Sequence, residues 1–247
     1  MDCNGLKLND SKSEFLMIGS SQMLSKVKPE TCEIRIGDSS VKSSNFVRNL
    51  GVIVDSNLSL RNHVTHLCQS VRFQLRNFGS IRKYFTKFAA EQLIHALISS
   101  RLDFCNSLFC NLPQREISRI QRLQNCAARL LTYTKKTTHI TPVLRSLHWL
   151  PVDKRIAFKI LLLVYRTLHT SAPVYLQDTL NIYTPPRNLR SSNSQILQVP
   201  RVKRNWGERS FSYIGPTLWN NLPFSLRQAK SIQVFKSNLK TYLFNLA

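Results

Sequence analysis

Residues 113–132 read Pro113-Gln114-Arg115-Glu116-Ile117-Ser118-Arg119-Ile120-Gln121-Arg122-Leu123-Gln124-Asn125-Cys126-Ala127-Ala128-Arg129-Leu130-Leu131-Thr132. Pro113 stands where proline favours a helix start, at the first turn. Wound at about 100° per residue, Ile117, Ile120, Leu123, Ala127, Leu130 and Leu131 share an arc of roughly 140°, and Arg115, Arg119, Arg122 and Arg129 a separate arc of roughly 80°. One face is core and the other a row of guanidinium groups. The row reads either as a solvated surface or as a set of phosphate contacts. It is expected to go without the interleaved acids that would normally pair with such arginines, which favours phosphate contact.

The segments around this helix read as helices too. Residues 60–85 place Val64, Leu67, Cys68, Val71, Leu75, Phe78, Ile81 and Phe85 three and four apart, the spacing of one helix face. Residues 88–105 give a second helix, with Phe88, Leu93, Leu97, Ile98 and Leu102. Residues 135–151 read as a break ending at His148-Trp149-Leu150-Pro151. Residues 152–169 are apolar almost all round, the pattern of a central buried helix, with Asp153 at its start. Residues 184–205 are a Pro/Ser/Arg-rich linker carrying Arg187, Arg190, Arg201, Lys203 and Arg204. Ile232, Phe235, Leu239 and Leu243 close the chain with an amphipathic pattern.

The first sixty residues differ. Residues 13–20 read as a strand ended by Gly19. Residues 32–37 alternate, with Cys32, Ile34 and Ile36 opposite Glu33 and Arg35, a strand period. Gly37-Asp38-Ser39-Ser40 is a turn cluster. Residues 46–54 give another strand region, with Gly51 as a bulge. The expected fold class is α+β: a small β-rich part at 1–60, a helical domain at 61–134, and a basic helical region at 135–247 with its linker near 184–205.

The chain has 247 residues, 35 Lys and Arg against 13 Asp and Glu, and a net charge of +22. Residues 1–60 hold 7 basic and 7 acidic residues, net zero; residues 61–130 hold 11 and 3, net +8; residues 131–247 hold 17 and 3, net +14. A neutral head joined to a basic body points to a polyanionic partner, nucleic acid first. No apolar run is long enough to span a membrane, and the N-terminal residues carry no signal-peptide pattern. Six scattered cysteines without a Cys-x-x-Cys suit reduced thiols, so a cytoplasmic or nuclear protein is expected rather than a secreted one.

Little in the sequence suggests catalysis. It holds no glycine-rich phosphate loop. His63 and His66, with Cys68 nearby, lack the second ligand pair a metal would need, so neither metal nor cofactor is expected. No Asp-Asp pair occurs, and Asp10, Asp38, Asp55, Asp103, Asp153 and Asp178 are isolated. Metal-dependent phosphoryl transfer needs carboxylates converging on the ions, which argues against nuclease or polymerase activity, or a small-molecule substrate, for this chain alone. Trp206, after Lys203-Arg204-Asn205, is a candidate for stacking on an unpaired base. Trp149 and Trp219, among apolar residues and prolines, read as core.

A series of short motifs resembles the non-LTR (LINE-type, jockey-like) retrotransposon reverse transcriptases. Asn4-Gly5-Leu6-Lys7-Leu8-Asn9, with Lys12-Ser13-Glu14-Phe15-Leu16, resembles the segment after their catalytic motif. Phe46-Val47-Arg48-Asn49-Leu50-Gly51-Val52 and Asp55-Ser56-Asn57-Leu58-Ser59-Leu60 resemble their primer-grip hairpin. Arg101-Leu102-Asp103-Phe104-Cys105-Asn106, His148-Trp149-Leu150-Pro151-Val152, Arg155-Ile156, Phe158-Lys159, Leu218-Trp219-Asn220-Asn221-Leu222-Pro223 and Phe235-Lys236-Ser237-Asn238-Leu239-Lys240 continue the series. The resemblance implies a palm end, a thumb and a C-terminal region, without fingers, catalytic aspartates or endonuclease. It implies that Asn49, Leu50, Gly51 and Val52 hold a primer end, that the helices of 61–134 lie on a primer–template duplex, and that the C-terminal region binds RNA. The Cys/His knuckle that some branches of the family carry is not found in this sequence. The expected nucleic-acid contacts are Arg115, Arg119, Arg122, Arg129, Arg201, Lys203, Arg204 and Trp206. The expected partner is RNA, RNA–DNA hybrid or DNA, bound without polymerisation. The alternatives are a relic reading frame with no selected activity, or a basic helical interaction protein.

Overall fold

The computed structural model describes residues 9, 12–27, 32–36, 39–169, 173–184, 195–203 and 206–246. Asn4 to Leu8, the turn residues Gly37 and Asp38, and Arg187, Arg190 and Arg204 lie outside the described residues. The fold is α+β, in two compact units, residues 1–67 and 68–247.

The first unit holds both sheets. Strands β1 (Phe15–Leu16), β2 (Glu33–Ile36) and β3 (Ser39–Ser44) form one sheet in the order β1-β3-β2, with β1 parallel and β2 antiparallel to β3. The strand expected over 13–20 is therefore only two residues long. Ser20 then caps a short helix, α1 (Ser21–Leu24), its hydroxyl accepting from the Met23 amide at 3.3 Å. Ser39 and Ser40, expected in a turn, begin β3. They pair with Ile36 and Arg35, so ladder hydrogen bonds outweigh the turn preference of serine.

Strands β4 (Phe46–Asn49) and β5 (Val52–Asp55) form a separate antiparallel hairpin, with Asn49 opposite Val52. Gly51 is not a bulge. It is the second residue of a two-residue turn in which Leu50 and Gly51 both have positive φ, 45° and 84°. That is what tight hairpins need to match the strand twist.

Asp55 ends β5 and starts the next helix, α2 (Arg61–Ile81). Its buried carboxylate accepts from the backbone amides of Asn57 (3.2 Å), Ser59 (2.9 Å) and Leu60 (2.7 Å) and from the Ser59 hydroxyl (3.1 Å). The negative charge sits at the positive end of the helix. It also holds a turn in which Leu58 and Leu60 are both left-handed.

The second unit is helical, and α2 runs on into it. Val71, Leu75 and Phe78 are buried as the spacing predicts, but the helix stops at Ile81. Arg82–Tyr84 form a 3-10 turn, and Thr86 caps α3 (Lys87–Ile94) by accepting from the Ala89 amide. Ile81 is thereby left partly exposed and Phe88 largely so. The helix expected over 88–105 is interrupted: α3 passes through a π-turn at His95–Ser99 into α4 (Ser100–Asp103). Pro113 lies just outside α5 (Gln114–Thr132) rather than in its first turn. The expected break at 135–151 contains α6 (Ile140–Ser146).

Helix α7 (Val152–His169) is the centre of this unit, as its all-round apolarity implies. It buries Ile156, Ile160, Leu161, Val164 and Tyr165 and packs against α5, the short α8 (Val174–Gln177), α9 (Phe211–Asn220) and α11 (Ile232–Asn245). Helix α10 (Phe224–Arg227) joins the last two. The Tyr165 ring stacks on Phe235 at 4.3 Å between centroids, and its hydroxyl donates to the Ala229 carbonyl at 2.7 Å. Gly215 lets α9 approach α7, for a Cβ there would meet Val164 Cγ2 at 3.0 Å. Trp149 and Trp219 are core residues, as expected. Part of the expected linker is tied down: Leu197 is buried, and its amide and carbonyl both bond the side-chain amide of Asn220. Among the described residues no helix is long and apolar enough to cross a membrane.

Candidate nucleic-acid interface

Helix α5 buries the stripe its sequence predicts, Ile117, Ile120, Leu123, Ala127 and Leu131, with Leu130 half-buried. This fixes where its arginines point. Arg119, Arg122 and Arg129 face a groove of about 890 Å³ whose opposite wall is the C-terminal half of α2, through Arg72, Leu75 and Arg76. Leu123, Cys126, Leu130, Tyr133, Thr134 and Lys136 also line it. Five arginines and one lysine meet there, and among the described residues no carboxylate lines the groove. Its walls alternate cationic heads with apolar side chains.

The four arginines of the row are not equivalent. Glu116 corrects the expectation that acids are missing: its buried carboxylate accepts from Arg119 at 2.6 Å, one helical turn away. Arg129 is partly engaged by backbone, donating to the carbonyls of Thr138 (2.9 Å) and Lys135 (3.4 Å) and so tying down the loop after α5. Arg115 and Arg122 are exposed, as are Arg72 and Arg76 on α2. None of these four has an ion pair among the described residues. Arg115 does not line the groove. Buried beside it, the Cys68 thiol has its pKa raised by desolvation, against the opposing pull of Arg119 and Arg72.

Arg72, Arg76, Lys136 and Tyr133 were not among the residues expected from sequence. Arg72 and Arg76 carried a signal: they stand four apart on an amphipathic helix that contains no acid. Which helix would face α5 was not legible from spacing. Arg201 and Lys203 are exposed and Trp206 is half-buried, and none of the three lines the groove. Arg204 lies outside the described residues. Asn49, Leu50, Gly51 and Val52 occupy the tip of the β4–β5 hairpin in the first unit, with Leu50 89% exposed.

Several of the motif segments converge elsewhere. Asp103 and Asn106, His148 and Leu150, Arg155, Phe158 and Lys159, and Lys240 line a second cleft, of about 290 Å³, in the helical unit. Five stretches of sequence meet there. Arg155 grips Asp103 with two nitrogens, the Nε at 2.8 Å. Asn106, almost fully buried, donates to the same carboxylate at 3.3 Å. The arrangement fastens α4 and the following turn to α7. Asp103 and Arg155 thus have a packing role that is independent of any ligand.

Among the described residues, no three His, Cys, Asp or Glu side chains cluster as a metal site would require. No protein-family profile, curated protein or solved structure matches this chain.

Proposed function

We propose that the α2–α5 groove is a nucleic-acid interface that holds RNA or an RNA–DNA duplex by its phosphates. On this reading the chain is a thumb-like module of the kind found in jockey-like non-LTR retrotransposon reverse transcriptases, acting in the cytoplasm or nucleus and binding without polymerising. The observation that carries the reading is the groove lined by Arg72, Arg76, Arg119, Arg122, Arg129 and Lys136, with no acid lining it among the described residues. Phosphates are the anions that such a row of guanidinium groups holds best, because each fork can take two phosphate oxygens. The net charge of +22 adds the long-range attraction that brings a polyanion in. Backbone contacts of this kind fix position and carry little sequence information.

The test is binding of the purified chain to a labelled RNA–DNA hybrid across a salt series, with circular dichroism on the same sample. A helical protein whose log K falls steeply and linearly with log salt is the expected result. Absent or salt-insensitive binding by the folded protein overturns the reading. An unfolded sample favours the relic reading frame. Primer-extension assays are expected to be silent, since no Asp-Asp pair exists in the chain.

A further inference from the structure

Tyr133 lines the groove, and its backbone is unusual. It caps α5 in the left-handed region, with φ 55°. Glycine or asparagine normally fills this position, because a side chain there costs energy. A bulky residue held against its backbone preference invites a search for what its side chain does.

Here the ring is a shelf. The Arg82 guanidinium lies 4.5 Å from the ring centroid on one face. Arg82 is itself only 5% exposed. It is fixed by donating to the carbonyls of Phe85 (2.9 Å) and Leu131 (2.8 Å). Tyr133 nevertheless remains 66% exposed. The ring is backed by a fixed cation while most of the residue stays open to solvent, beside a groove lined by cations.

We propose that Tyr133 is a stacking platform for an unpaired nucleobase, so that the groove takes a strand with a single-stranded segment, RNA or DNA, in preference to a blunt duplex. This rests on the phosphate-binding reading of the groove and deepens it. Every base has a π-face, so the platform would select for an unpaired base and not for its identity. The same aromatic would find no exposed base face along a continuous duplex.

The test is fluorescence anisotropy with three labelled probes: a single-stranded RNA, a single-stranded DNA of the same sequence and a blunt-ended two-strand RNA duplex. Tyr133→Gly removes the ring and relieves the positive φ, so it is expected to keep or raise the thermal midpoint while weakening both single strands about tenfold. Binding of the blunt duplex is expected to stay unchanged. Tyr133→Trp is expected to restore single-strand binding, and Tyr133→Leu to leave it weak. Loss on one single strand alone would assign the platform to RNA or to DNA, and would narrow the proposal to that strand. Arg122→Gln separates the two readings. If it weakens all three probes while Tyr133→Gly weakens none, the groove stands and the platform is wrong. If Arg122→Gln weakens none, the groove reading fails and the platform with it.

Discussion

Arg119 and Glu116 form an ion pair of 2.6 Å within α5, the carboxylate side chain almost fully buried and the guanidinium about one-fifth exposed. The pair divides the arginine row into residues that serve the fold and residues that serve the surface. Arg119→Gln removes a partner from a buried carboxylate, which costs on the order of 1 kcal/mol of stability or more. Arg122→Gln touches an exposed side chain, which leaves stability within about 0.5 kcal/mol. Nucleic-acid binding is expected to show the reverse order, with Arg122→Gln the more harmful. Thermal unfolding and anisotropy on the two variants check both halves, and equal effects in both assays would contradict the division.

The Asp103–Arg155 contact joins positions 52 apart in sequence through two hydrogen bonds to one carboxylate. Bonds to charged groups are worth more than neutral ones, about 1.5–3 kcal/mol each before solvent screening. Both side chains are partly solvated, 35% and 20% exposed. The expected loss for Asp103→Asn is therefore nearer 1 kcal/mol. Asp103→Asn, Arg155→Gln and the double variant form a cycle. The double variant is expected to lose less than the sum of the singles, and full additivity would mean the contact contributes nothing.

Acid is expected to weaken the first unit through His63. Its Nδ1 accepts from the Ile53 amide at 3.3 Å, which requires that nitrogen to be unprotonated. Burial chiefly, then the neighbouring charges of His66 and Arg48, hold its pKa below the ordinary histidine value. A depressed folded pKa means that the neutral ring stabilises the fold fully above the unfolded value of about 6.5. That contribution is lost as pH falls through the lower folded value. Burial depresses His169 in the second unit in the same direction. The thermal midpoint should fall between about pH 7 and pH 5. His63→Asn, which keeps an acceptor but cannot titrate in that range, should remove part of the slope. An unchanged slope in that variant would contradict the assignment.

Gly79 lies exposed near the end of α2. A Cβ there would meet Leu130 Cδ2 at 3.7 Å, an ordinary contact. Gly79→Ala should therefore raise stability by about 0.5–1 kcal/mol, by limiting the unfolded chain and adding helix propensity. A lower thermal midpoint would show that α2 and α5 need closer approach than this geometry indicates.

What the sequence revealed follows the strength of its periodicity. Helices α5 and α7 were legible almost to their ends, because long apolar stripes leave one way to bury them. Helix α9 was not read from the sequence, since it carries Gly215-Pro216 within it; packing of Gly215 on Val164 and burial of Trp219 hold it helical. Ser39 and Ser40 were misread because turn preference is local and strand pairing is not. The groove was half legible. The α5 arginines were visible, but Arg72, Arg76 and Tyr133 joined them only through the α2–α5 packing. The Glu116 pairing needed only a check of the helix one turn before Arg119.

The most direct test of the account is the salt dependence of RNA–DNA hybrid binding by the wild-type chain and by a triple variant, Arg72→Gln with Arg76→Gln and Arg122→Gln. All three residues are exposed, so the variant should unfold like the wild type. Each lost phosphate contact lowers the slope of log K against log salt by about 0.9, so the triple variant should lose roughly 2–3 from the wild-type slope, along with affinity at low salt. A triple variant that stays folded and keeps the wild-type slope and affinity would contradict the claim that this groove holds the phosphates.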